Sequence, residues 1–199
     1  MAPAAVMAKS ENLGDLKPYR IPVPVTVAAR SQKQVAFLQK ERVTGTLLYR
    51  SLIDYVDAQP PQMLFRFRNR KADGLGDPLP AGKAVIYQES AVGRMVVGEA
   101  STPDKAVDEE VELTFGEPAN VTLETVTQRS GDGRQGDHTI TLRNANPFPI
   151  RYEIDFPTGG KLFTVPGKLL AKPGKRVWAV TIPANAARIL EYRSTSTDR

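Results

Sequence analysis

Apolar and polar residues alternate along this chain in short runs, each cut off by proline or glycine. Val23-Pro-Val-Thr-Val-Ala places a β-branched residue at every second position, and its proline predicts an edge strand. Lys33-Gln-Val-Ala-Phe-Leu and Arg42-Val-Thr-Gly-Thr-Leu-Leu-Tyr-Arg continue the strand signal. Met63-Leu-Phe-Arg-Phe-Arg-Asn-Arg alternates Phe with Arg, which predicts a strand with one buried and one wet face. After the turn-rich stretch Ala72 to Gly82 come Lys83-Ala-Val-Ile-Tyr-Gln and Arg94-Met-Val-Val-Gly-Glu-Ala. Further strands are expected at Glu110 to Phe115, Val121 to Thr127, His138 to Asn144, Ile150 to Phe156, Arg176 to Ile182 and Ala187 to Arg193.

Sixteen prolines and 15 glycines, scattered over 199 residues, leave almost no window for a helix of ordinary length. The expected fold class is all-β: an antiparallel β-sandwich with an immunoglobulin-like C-terminal half, as two linked β subdomains. The expected boundaries are a frayed segment 1–16, an N-terminal β subdomain 17–105, an immunoglobulin-like sandwich 106–193 and a frayed tail 194–199. Trp178, alternating with Val177 and Ala179, is expected in the core of a late strand. Gly159-Gly160 and Gly131-x-Gly133 fit hairpin turns better than phosphate cradles, since no Walker-type or dinucleotide-binding pattern surrounds them.

No run approaches the ~18 apolar residues that a membrane-spanning helix needs. The start, Met1 to Lys9, has no charged n-region and is not a signal peptide. A chain cut from a longer precursor would look the same, so this leaves the compartment open. The absence of cysteine excludes disulfides, thiolate metal sites and a cysteine nucleophile. Lys and Arg number 27 against 22 Asp and Glu, a formal charge of +5 spread over the chain rather than gathered on one arm. Nucleic acid is therefore not an expected partner.

Candidate chemistry is thin. His138 is the only histidine, and the neighbouring Asp137 would point to the opposite face of a strand, poorly placed to orient it. The acidic cluster Asp104, Asp108, Glu109, Glu110 and Glu112 includes one pair, Glu110 and Glu112, roughly 7 Å apart on a strand face. Paired carboxylates at that spacing are what a glycosidase uses, and equally what a solvated strand face carries. The loops Asp73–Asp77 and Asp132–Asp137 have carboxylates and glycines but lack the calcium-loop pattern ending in a bidentate Glu. No catalytic residue, metal or cofactor is assigned. The candidate interaction surface is Arg66, Arg68, Arg70 and Lys71, expected on the outward face of one strand. Phe65 and Phe67 between them should point inward, leaving no stacking platform.

Several stretches, taken in order, resemble the bacterial domain of unknown function 4139. They are Val25-Thr-Val-Ala-Ala-Arg-Ser-Gln-Lys-Gln-Val-Ala-Phe-Leu, Pro78-Leu-Pro-Ala-Gly-Lys-Ala-Val-Ile-Tyr, Val97-Gly-Glu-Ala and Glu109-Glu-Val-Glu-Leu-Thr-Phe-Gly-Glu-Pro-Ala-Asn-Val. Lys175-Arg-Val-Trp through Leu190-Glu-Tyr-Arg completes the series. That family commonly forms the C-terminal part of larger proteins, including mucoidy-inhibitor-like ones. The resemblance implies a β-sandwich and a parent protein in the periplasm or cell envelope; it implies no reaction and no site residues. The leading expectation is a non-enzymatic module for protein interaction or scaffolding, its partner a protein or envelope component. The alternatives are a polysaccharide-acting hydrolase module using the paired carboxylates and an anion-binding domain using the arginine strand.

Overall fold

Where the sequence alternates, the backbone is extended. The computed structural model describes residues 9–10, 19–20, 24, 26–27, 29–30, 38–54, 57–131, 134–159 and 161–196. Two compact units result, Met1–Val43 and Thr44–Arg199. In the first, β1 (Lys9–Ser10) pairs with β2 (Tyr19–Arg20). The strand expected at Val23 lies partly outside the described residues, and the described ones there, 24 and 26–27, carry no strand. The strand expected from Lys33 lies outside them, except for Leu38, which is not in a strand.

The second unit is all β apart from one 3-10 turn, Lys71–Asp73. Its strands are β3 (Gly45–Leu52), β4 (Gln62–Arg68), β5 (Gly82–Ser90), β6 (Gly93–Thr102), β7 (Glu110–Thr114), β8 (Val121–Arg129) and β9 (Gln135–Asn144). The rest are β10 (Ile150–Pro157), β11 (Lys161–Thr164), β12 (Leu170–Lys172), β13 (Lys175–Ile182) and β14 (Ala186–Ser196). Sheet orders are β12-β13-β10-β3-β4-β7, β11-β14-β9-β8 and the separate hairpin β5-β6. All pairs are antiparallel except β3 with β10.

The main core lies between the six-stranded and four-stranded sheets, as a sandwich requires. Tyr152, Ile154 and Phe156 of β10 meet Ile140 and Leu142 of β9, Leu190 and Tyr192 of β14, and Phe163 of β11, all buried. Trp178 is partly buried and packs against this cluster. The expected division near residue 105 runs through the six-stranded sheet. β3 and β4, from the N-terminal side, lie between β10 and β7 and complete a sheet that the C-terminal strands leave open. The tail also differs from expectation, because β14 continues to Ser196. Ser194 pairs with Gly136 and is buried, so the polar Ser-Thr-Ser run is held by ladder hydrogen bonds that composition does not reveal.

The six-stranded sheet is curled. A flat sheet would hold its edge strands β12 and β7 about 24 Å apart, at five steps of about 4.8 Å. Yet Lys172 of β12 reaches Glu110 of β7 at 3.3 Å. The hairpin β5-β6 joins no other strand of the described residues. At its root Gly98 passes so close to Phe115 that a Cβ there would come within 2.4 Å of the Phe115 carbonyl oxygen, which only glycine permits.

Candidate functional site

The inner face of the curled sheet follows from strand register. Residues directly opposite each other share a face, so Arg50 lies with Glu153 across β3-β10, and Arg66 lies with Glu112 across β4-β7. Leu48, Leu64 and Val177 share that face and are fully buried. Amid this apolar wall Arg50 donates from both terminal nitrogens to Glu112, at 2.7 Å each. Arg66 forks onto Glu153 in the same way, at 2.8 and 2.7 Å. The cross contacts close a ring: Arg50 Nη2 to Glu153 at 3.2 Å and Arg66 Nε to Glu112 at 2.8 Å. Lys175 pairs with Asp155 beside it. Two arginines and two glutamates thus staple four adjacent strands, with fork-on-fork geometry that lysine cannot reproduce.

Electrostatics follow the geometry. Hydrogen bonds from Arg50, joined by those from Arg66, hold the Glu112 carboxyl at about 2 against the opposing effect of burial. Burial pushes Glu153 upward, but the hydrogen bonds and charges of Arg66 and Arg50 outweigh it and bring it to about 2 as well. Carboxyls lowered on folding stabilise fully above their unfolded value near 4.5, and that stabilisation drains as pH falls toward 2. We predict that urea unfolding at pH 3 shows a loss on the order of 3 kcal/mol relative to pH 6. A midpoint unchanged between those pH values would contradict the ring.

The sequence-predicted basic surface is therefore divided. Arg66 is turned inward and committed to the ring, not outward as its alternation with Phe suggests. Arg68 is exposed, opposite Glu110 in register. Arg70 lies beyond the strand end and donates to Asp73 at 2.8 Å. Lys71 is exposed on the 3-10 turn. The three arginines share only a shallow notch of about 270 Å³, with Asp73 and Glu110 in its wall. Phe65 and Phe67 do lie on the other face, half-buried.

No protein-family model, curated protein or solved structure matches this chain.

The carboxylate pair is divided too. Glu112 is forked by Arg50, while Glu110 reaches Lys172 and, at 3.7 Å, Arg66. A glycosidase acid needs a carboxyl raised toward neutrality, and Glu112 is displaced the other way. Of the other acidic residues, Asp104 accepts from the Ala81 amide and Glu109 from the Ala106 amide, both as loop ties. Among the described residues no three potential metal ligands converge, and no helix is long and apolar enough to cross a membrane.

His138 has a partner that sequence reading missed. Its Nε2 lies 2.8 Å from Ser194 Oγ and its Nδ1 lies 2.9 Å from Thr127 Oγ1, while its ring stacks on Tyr192 at 4.5 Å. Serine and histidine are in nucleophile-base distance, but both are buried and the group behind the histidine is a hydroxyl. Asp137, the carboxylate next in sequence, is engaged by Arg193 at 2.6 Å. No signal in sequence marks Ser194, which is 56 residues from His138.

Exposed apolar side chains occur on both sheets, Val126 and Ile189 among them, and a further group stands on the β5-β6 hairpin. Register places Tyr87 opposite Val96 and Val85 opposite Glu99. Val85 is 44% exposed, Tyr87 53% and Val96 59%, with Val92 exposed at the tip. Arg94 lies over the Tyr87 ring and pairs with Glu89 at 2.9 Å.

Proposed function

We propose that the chain is a non-enzymatic β-sandwich module that binds protein through the β5-β6 hairpin, within a bacterial cell-envelope protein. The observation that carries this reading is the hairpin's apolar face. A two-stranded ribbon is marginally stable by itself in water, and this one leaves Val85, Tyr87 and Val96 exposed, with no further strand among the described residues paired to its edges. Such edges accept an added strand, whose main chain supplies affinity while side-chain contacts supply selectivity. The envelope placement rests on the resemblance to the domain of unknown function 4139. The charged ring and the His138 cluster support a structural role for the residues that would otherwise suggest chemistry.

The test is capture from bacterial envelope extract, comparing the chain with a Tyr87→Ser/Val96→Ser variant whose urea midpoint matches the parent. A protein retained by the parent and reduced at least about tenfold by the variant is the expected result, two interface side chains each contributing ~1 kcal/mol or more. Equal retention would move the interaction off the hairpin.

A further inference from the structure

The two edges of the hairpin differ. Along β6 the register slips between Ile86 and Tyr87, so that Val97 is extra, and Gly98 is pressed against Phe115. A bulged edge resists pairing. Strand β5 runs from Gly82 to Ser90 without an inserted residue, and its outer edge pairs with no strand among the described residues.

The side chains along one face of β5 are Lys83, Val85, Tyr87 and Glu89, all exposed. In chemical terms they run cation, branched, aromatic, anion. Turned end for end, the series is complementary to itself. An antiparallel pairing of two β5 strands about a two-fold axis at Ile86 sets Lys83 opposite Glu89 of the second copy and Val85 opposite Tyr87 of the second copy. Opposite charges and aromatic with β-branched residues are both favourable cross-strand pairs. A shift of two residues either way destroys the match: it pairs Val85 with itself and Lys83 with Tyr87, or Tyr87 with itself and Val85 with Glu89. Glu89 already pairs with Arg94, but both are largely exposed, and a screened pair of that kind leaves the carboxylate able to take a second cation.

We propose that two copies of this chain associate edge to edge along β5, antiparallel, with the two-fold axis at Ile86. This deepens the hairpin reading by naming the partner as a second copy, and it rests on that reading. The contact is isologous, so each pair occurs twice and every substitution counts twice.

Sedimentation velocity over a concentration series is the first measurement, and a reversible dimer is the expected result. Lys83→Glu sets like charges opposite each other twice and should weaken the dimer about tenfold or more. Combining Lys83→Glu with Glu89→Lys restores complementarity and should recover it. The chain has no cysteine, so cross-linking reports register cleanly. Ile86→Cys should give a disulfide-linked dimer under mild oxidation, Val85→Cys alone should not, and Val85→Cys with Tyr87→Cys should. A monomer at every concentration, a dimer indifferent to Lys83→Glu, or equal cross-linking by the Val85 and Ile86 cysteines would each overturn the proposal. A monomer whose Tyr87→Ser/Val96→Ser variant still loses an envelope protein would sink the self-pairing and leave the hairpin reading standing.

Discussion

Glu153→Ala is expected to lower the unfolding free energy by about 3–5 kcal/mol, the range for removing one partner of a buried ion pair. The side chain of Glu153 is 2% exposed and accepts hydrogen bonds from both Arg66 and Arg50. Its removal takes one of the two ring glutamates from both guanidinium groups, which are walled by Leu48, Leu64 and Val177. What remains is Glu112, with the weaker contacts of Asp155 to Arg50 at 3.5 Å and Glu110 to Arg66 at 3.7 Å. Glu110→Ala is the control, because its carboxylate is 43% exposed and its pairs with Lys172 and Arg66 are solvated. That change should cost less than about 1 kcal/mol. Urea denaturation of both variants decides it: similar losses would mean that Glu153 is not the closing member of the ring.

Phe156→Ala should cost about as much by another route, about 3–5 kcal/mol, through an unfilled cavity in the main core. Phe156 is fully buried, with the Phe163 ring 5.4 Å away and the Tyr192 ring edge-on at 5.1 Å. These contacts tie β10 of the six-stranded sheet to β11 and β14 of the four-stranded one, so the cavity opens where the sheets meet. Phe148→Ala removes an equally large side chain from a half-exposed position and should shift stability by about 0.5 kcal/mol or less. A thermal or urea midpoint for Phe156→Ala close to that of Phe148→Ala would show that the sheets do not meet there.

Alternation was enough to read the strands β3 to β10, β13 and β14, because period two is a local property. The three- and four-residue strands β12 and β11 are too short to show it. The face of a strand is legible, but what covers that face is not. Arg66 alternates with Phe65 and Phe67, which correctly places it opposite the aromatic side, yet the opposite side here is the inside of a curl. Its counter-ion Glu153 is 87 residues away, and only the pairing of β3 with both β4 and β10 brings them together. The boundary near residue 105 failed for the same reason, since parallel pairing between distant strands leaves no local mark. Ser194 looked like tail because Ser and Thr signal loops when no ladder partner is visible. The two strands of the hairpin, by contrast, are local and stand where alternation places them.

The parallel pairing of β3 with β10 also sets an order of events during synthesis. Ser51 meets Tyr152, 101 residues later, so β3 emerges long before its neighbour β10 exists. At ribosomal speeds of about 5–20 residues per second, that gap lasts on the order of 5–20 seconds. Throughout it β3 offers an open edge and two arginines lack Glu153. Because contacts this distant in sequence form late and slowly, the nascent chain is most exposed to mispairing until β10 has been made.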